Sequence, residues 1–294
     1  MPQIEANGLT IEYETHGDPA HEPLLLVMGL GAQLTLWPIE FVDALVARGF
    51  HVIRHDNRDI GLSQKFDHAG VPAIPEVVAA MMSGQAPEVP YTVADMAADA
   101  AGLLDALGID QAHVVGASMG GMIVQHMAAS HAHKVRTMTS IMSTTGNREL
   151  PPSKPEAMAA LLTPAPSLEL EAIIASGLAR ARAIGSPGYP AAEDRLRTRI
   201  ASDFHRSYNP AGMARQFAAV VADGDRREML KGVTVPTLVI HGEDDPLVPV
   251  EGGHDTAATV PGARLHTIPG MGHDVPIELV DEIAEAIAEH ARAR

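Results

Sequence analysis

Cysteine is absent from the 294 residues. The chain therefore has no disulfide, no thiolate metal site and no cysteine nucleophile. That fits a reducing compartment and gives an expected cytoplasmic location. Positive charge is short as well. Lys and Arg total 21 against 37 Asp and Glu, for a formal charge of −16. Such a balance argues against a nucleic acid or an anionic membrane as partner, and it would mildly repel a strongly anionic substrate. Long apolar runs are missing too. The longest, Leu24 to Leu30, falls far short of a bilayer span. The opening Met-Pro-Gln-Ile-Glu lacks the basic and apolar regions of a signal peptide. No internal repeat is visible. What remains is a chain with 46% hydrophobic residues, long enough for one large α/β domain or two small ones.

The most informative stretch is Ala112 to Gly121. An apolar run ending at Val115 reads as a buried strand, and Met119 to Ala129 has helical composition. Between them Gly116-Ala117-Ser118-Met119-Gly120 matches Gly-x-Ser-x-Gly. A serine on a sharp strand-to-helix turn projects its hydroxyl clear of a sheet, at the cost of strained backbone. Glycines two residues before and after leave no Cβ to collide in that turn. The new helix aims free N–H groups at the place where an oxyanion would form.

The rest of the chain supplies the context. Ile11 to Thr15 alternates and reads as a strand in a hairpin after Asn7-Gly8. Leu24 to Met28 is a continuous apolar run, the mark of a strand buried on both faces. Gly29-Leu30-Gly31 follows, but Leu34 stands where a dinucleotide fingerprint needs its third glycine. A helix is expected from Trp37-Pro38 to about Arg48, then a strand over 51–56. Its exit loop holds Asp56, Arg58 and Asp59, read as a turn that satisfies its own charges. Residues 68–90 are Pro-rich and read as a surface excursion. Thr92 and Asp95 cap a helix that Gly108 ends. With a strand over 135–142, strands and helices alternate, which predicts a mainly parallel sheet with helices on both faces.

That alternation stops near Thr144. Helical pieces follow at 154–162, 167–184, 191–206 and 210–221, and the strand pattern returns at 235–240. Such a long interruption predicts a helical cap over 145–226, inserted into a core of 1–144 and 227–294. Its removal is expected to alter substrate range more than the catalytic groups. A helix near 251–259, a strand over 264–268 and a final helix opened by Pro276 complete the chain.

A serine hydroxyl needs a base to become a nucleophile. Of fifteen histidines, His273 sits in a Gly-rich turn after the last expected strand, where a loop can reach across the sheet. His126, His131 and His133 lack the carboxylate or Cys spacing of a metal site and read as exposed helix residues. The base in turn needs an orienting carboxylate. Glu243, Asp244 and Asp245 all follow the strand at 235–240. The order serine, acid, histidine is that of one α/β fold and differs from the chymotrypsin and subtilisin orders.

Over nearly its full length the chain resembles the α/β-hydrolase family. Leu24–Gly31, the loop Asp56-x-Arg58-x-x-Gly61-x-Ser63, Gly116–Gly121, Pro236–Pro249 and Gly270–His273 carry the resemblance. It is most similar to the esterase branch that includes the anthracycline methylesterases. The resemblance implies the α/β-hydrolase fold with an inserted helical cap. It implies Ser118 as nucleophile, His273 as base and Asp245 as acid, four residues before Pro249, with Asp244 as runner-up. Backbone N–H groups of Leu30 and Met119 would form the oxyanion hole, although Met28-Gly29 stands where many relatives have His-Gly. Similarity to haloalkane dehalogenases or epoxide hydrolases would need Asp at position 118, so serine points to acyl transfer. The expected activity is carboxylic-ester hydrolysis on a small-molecule ester with apolar groups, with Met28 and Trp37 among the pocket residues and with no metal or organic cofactor. The alternatives are an enol-lactonase or C–C bond hydrolase of the same fold, or a non-catalytic ligand-binding member.

Overall fold

The computed structural model describes residues 2–293. Its eight-stranded sheet comprises β1 (Gln3–Ala6), β2 (Leu9–His16), β3 (Glu22–Val27), β4 (Phe50–His55), β5 (Ala112–Ala117), β6 (Val135–Ile141), β7 (Thr237–Gly242) and β8 (Arg264–Ile268). The order across the sheet is β1-β2-β4-β3-β5-β6-β7-β8. Strands from β4 to β8 run parallel, while β1 and β2 form an antiparallel edge. Asn7 and Gly8, both with positive φ, turn β1 into β2, as an Asn-Gly hairpin requires.

Burial on two faces explains the strand sequences. In β3, Leu25 and Val27 join the core on one side, and Leu24 and Leu26 join the core on the other. All four are fully buried, each contributing about 1.5–3 kcal/mol relative to exposure. The helices that flank the sheet are taken next in chain order. α1 (Ile39–Ala47) covers one face. α2 (Ile74–Met82) lies in the segment expected as a plain surface excursion, where Pro75 fits a helical first turn. α3 (Val93–Ala106) and α4 (Met119–Ser130) cover the other face. Thr92 caps α3 through a reciprocal box with Asp95 (3.1 and 2.8 Å), worth about 1 kcal/mol.

Between β6 and β7 come α5 (Pro155–Leu162), α6 (Leu170–Ile184), α7 (Glu193–Arg206), α8 (Pro210–Asp223) and the short α9 (Arg227–Leu230). Ile174, Leu178 and Leu196 form a small apolar cluster within this insert. α10 (Glu251–Thr259) precedes β8, and α11 (Val280–Arg292) packs beside α1 on the first face. Among the described residues no helix is long and apolar enough to cross a membrane.

Candidate active site

Ser118 follows β5 directly and opens α4. Its φ of 56° and ψ of −120° place a non-glycine residue in strained backbone. The neighbouring glycines are sterically required. A Cβ at Gly116 would lie 2.0 Å from the Gly120 carbonyl, and one at Gly120 would lie 2.0 Å from the Val27 carbonyl. The sheet holds the turn, since the Ser118 N–H donates to the Ile141 carbonyl at 2.9 Å.

The structure brings three side chains together at the C-terminal edge of the parallel strands. Ser118 Oγ is 3.0 Å from His273 Nε2, and His273 Nδ1 is 2.7 Å from Asp245 Oδ2. A carboxylate beside Nδ1 selects the tautomer protonated there, leaving Nε2 to accept from the serine hydroxyl. Asp245 is buried and fixed by its other oxygen, which accepts from the Leu247 and Val248 N–H groups at 2.8 Å each. Asp244 is exposed and turns away to accept from the Gly270 N–H; Glu243 is exposed and accepts from Thr267. Geometry therefore separates the three acidic neighbours. His241, also buried, donates Nε2–H to the Val248 carbonyl at 2.8 Å and lies 3.7 Å from Asp245. Burial pushes its basicity down, against the pull of Asp245.

The loop after β3 passes directly against Ser118. A Cβ on Gly29 would sit 3.1 Å from Ser118 Cβ and 3.1 Å from the Ala117 carbonyl. The Ala32 N–H closes a turn onto the Gly29 carbonyl at 3.3 Å, with Gly31 at a φ of 68°. Leu30 stands in this turn. Met119 stands at the first helical position, where amides have no intrahelical acceptor. Met28 and Trp37 are the residues expected on the pocket wall. Both are buried in the core on the α1 side, and Trp37 stacks on Phe41 at 5.4 Å. Position 28 shares the face of Leu24 and Leu26, so the sheet's alternation directs it inward.

The loop after β4 also differs from its expectation. Its charges are satisfied by distant residues. Asp56 pairs with Arg206 of α7 (2.7 Å), and Arg58 grips Asp99 of α3 (2.6 and 2.7 Å). Asp59 takes both arms of Arg215 from α8 (2.6 and 2.8 Å). Burial alone would raise the Asp59 carboxyl. Hydrogen bonds from Arg215, the Phe66 N–H and Tyr91 outweigh it and hold the group below its usual range. His126 is likewise not an exposed helix residue, because it pairs with Asp223 of α8 at 2.8 Å. Among the described residues no cluster of His, Asp or Glu could hold a metal ion.

The insert reaches the base as well. The His273 N–H donates to the Ile184 carbonyl (2.7 Å), and the Gly188 N–H donates to that of Gly270 (2.9 Å). Ser186 accepts from the Gly272 N–H at 2.8 Å and donates its N–H to Asp274 at 2.9 Å. Burial raises the Asp274 carboxyl, against the two hydrogen bonds from Ser186. Residues 145–226, whose removal is expected to alter substrate range more than the catalytic groups, therefore also hydrogen-bond to the turn that carries His273. No local motif in the sequence marks Ser186, or Gln216 of α8, which contacts the loop at Gly31.

A sequence model of the alpha/beta hydrolase fold matches residues 22–278. A rhodomycin D methylesterase of Streptomyces sp. (strain C5) is 30% identical, covering 99% of this chain and 97% of that protein. Among solved structures, the enol-lactonase from Burkholderia xenovorans LB400 superposes with a TM-score of 0.72 at 25% identity, over 99% of this chain and 100% of that one. The meta-cleavage product hydrolase from Pseudomonas fluorescens IP01 gives a TM-score of 0.75 at 20% identity, over 100% and 98%.

Proposed function

Because the chain belongs to the α/β-hydrolase fold family, we propose that it is a serine esterase that cleaves carboxylic esters through Ser118, His273 and Asp245. The observation that carries this reading is the hydrogen-bonded chain from Ser118 Oγ through His273 to Asp245. In the first step Ser118 Oγ attacks the ester carbonyl carbon while His273 Nε2 takes the hydroxyl proton. Asp245 holds the imidazole and stabilises its cationic form. The Leu30 and Met119 N–H groups receive the oxyanion, and collapse expels the alcohol, protonated by His273. Water then attacks the acyl-enzyme, with His273 again as base, releasing the acid and restoring Ser118. Residues 145–226 serve as a cap over the site and shape the substrate's place. The likeness to a rhodomycin D methylesterase supports a methyl ester as the first substrate to try.

The test is a substrate panel on the purified protein, with fluorophosphonate labelling of Ser118. Turnover of p-nitrophenyl or methyl esters, abolished in Ser118→Ala, is expected. Fast opening of enol-lactones or cleavage of vinylogous diketones without ester turnover would replace the esterase reading by one of those reactions. Absence of both labelling and turnover would favour a ligand-binding role.

A further inference from the structure

Helix α8 reaches the loop that crosses Ser118, and among the described residues its one side-chain hydrogen bond to that loop comes from Gln216. Gln216 is fully buried. Its Oε1 accepts from the Gly31 N–H at 2.9 Å, and its Nε2 donates to the Arg58 carbonyl at 2.9 Å. An N–H at one end and a carbonyl at the other leave a single orientation for this amide. Met213, one helical turn earlier, packs on the same glycine, where a Cβ would lie 2.8 Å from its Cγ. From the core side, Asn57 Nδ2 donates to the Met28 carbonyl at 2.8 Å. Two side-chain amides thus grip the turn carrying Leu30 from opposite ends. Asn57 comes from the loop after β4, and Gln216 comes from the insert.

We propose that Gln216 is a positioning residue through which α8 sets the oxyanion-binding turn, so that the Leu30 N–H is correctly aimed only when α8 is docked. The inference rests on the esterase reading above. Gly31 has the left-handed φ that the turn requires, and Gln216 fixes the orientation of the peptide joining it to Leu30. Without that bond the peptide can rotate, and the turn can drift from the position complementary to the tetrahedral intermediate. Small misplacements of this kind affect the transition state far more than the bound ester. Substrate binding would then be nearly unchanged while the chemical step slows. Arg215, the adjacent residue, is locked to Asp59. The register of α8 on the core is therefore set by a buried ion pair, and Gln216 passes that register to the turn.

The experiment compares Gln216→Met, similar in length and volume, with Gln216→Glu, whose carbonyl can still accept from Gly31. The readouts are kcat and KM on a p-nitrophenyl ester, inhibition by a trifluoromethyl ketone, and the rate of Ser118 labelling by a fluorophosphonate. Gln216→Met is expected to lower kcat by about 10- to 100-fold with KM changed by less than about threefold. The ketone should weaken by the same factor as kcat, and the midpoint of the pH profile should not move. Gln216→Glu should recover most of the loss. Labelling does not depend on the natural substrate, so it still reads the turn if the protein cleaves no ester, and the two failures stay distinguishable. Wild-type kcat and labelling rate in folded Gln216→Met would overturn the proposal. If Gln216→Met fails to fold, amide hydrogen exchange on the wild-type protein decides. Gly31 protected to the same degree as the α8 amides supports the coupling, and fast exchange at Gly31 with α8 protected overturns it.

Discussion

The sheet and the inserted helices are held by different forces. Around the sheet, Leu24 to Val27, Phe41, Leu103 and Ile283 bury themselves in two continuous apolar layers. Within the insert, α6 and α7 share the small cluster of Ile174, Leu178 and Leu196. Apart from Ala219 and Val220 of α8 and Tyr189, which join the apolar layers, the insert docks through polar links: Arg206 to Asp56, Arg215 to Asp59, Ser186 to Gly272, and the Ile184 carbonyl to His273. Ser118 belongs to the first region, since it hangs from Ile141 in the sheet. His273 belongs half to the second. The proposed reaction, which needs both groups, therefore depends on an apolar layer insensitive to charge and on a polar seam that is not.

The largest effect should come from the sheet's own contribution. Ser118→Ala is expected to lower ester turnover by about three orders of magnitude or more while the fold persists, because triad members act as a unit. Folded protein with wild-type turnover would break the comparison at its root. Asp245→Asn comes next, with a loss of about three to four orders of magnitude in kcat from the wrong imidazole tautomer. Asp244→Asn, on an exposed residue, should stay within about threefold. The reverse order would move the acid to Asp244.

The polar seam is tested by Arg215→Met. It leaves Asp59 buried without its partner and should cost about 3–5 kcal/mol in urea unfolding. A loss below about 1 kcal/mol would mean that the seam does not hold the insert. The apolar region has its own pH response through His55. Burial pushes this imidazole down to about 4, against a weaker pull from Asn57. The folded protein therefore prefers the neutral ring. The stability this contributes is complete above the unfolded value of about 6.5 and is lost as pH falls toward about 4, amounting to about 3 kcal/mol. His55→Leu should flatten that slope in unfolding midpoints measured from pH 7 to pH 4, and an unchanged slope would place the titrating group elsewhere. A smaller effect is expected from Ser186→Ala. It removes the hydroxyl between Gly272 and Asp274 and should lower kcat about tenfold, leaving KM nearly unchanged. A change in KM alone would make Ser186 part of the substrate's place and not a brace for His273.

The same division governs how much was legible in the sequence. Strands such as Leu24 to Val27 announce themselves through apolar continuity, and Thr92 with Asp95 announces a helix start through local chemistry. Ser118 and His273 stand out because each follows a readable strand, whereas Glu243, Asp244 and Asp245 all follow the strand at 235–240 and only the family resemblance singles out Asp245. The partners of Asp56, Arg58 and Asp59 could not. An Asp next to an Arg in sequence suggests a local pair, yet Arg58 chooses Asp99 and Asp59 chooses Arg215. Long-range ion pairs leave no period in the sequence. The helix at 74–82 was hidden by its prolines, although proline at the start of a helix is compatible with one. Trp37 reads as a residue for an apolar pocket, and its stacking on Phe41 in the core leaves no mark in the sequence.

The insertion point between β6 and β7 has a consequence in time. Met138 pairs with Thr237, so everything from 142 to 236 must be looped out before that ladder can zip. Closing such a loop costs roughly 4 kcal/mol of chain entropy, and contacts so distant in sequence slow the search for the native topology. β1, β2 and β4 pair over shorter separations, as do β5 and β6, whereas β3 and β5 close a loop of 28–111 that is nearly as long. As the ribosome extends the chain, Ser118 can reach its turn long before residue 273 has been made. On the proposed mechanism the nascent protein then carries a nucleophile with no proton acceptor, and its chemistry switches on only when the last strands close beside β6.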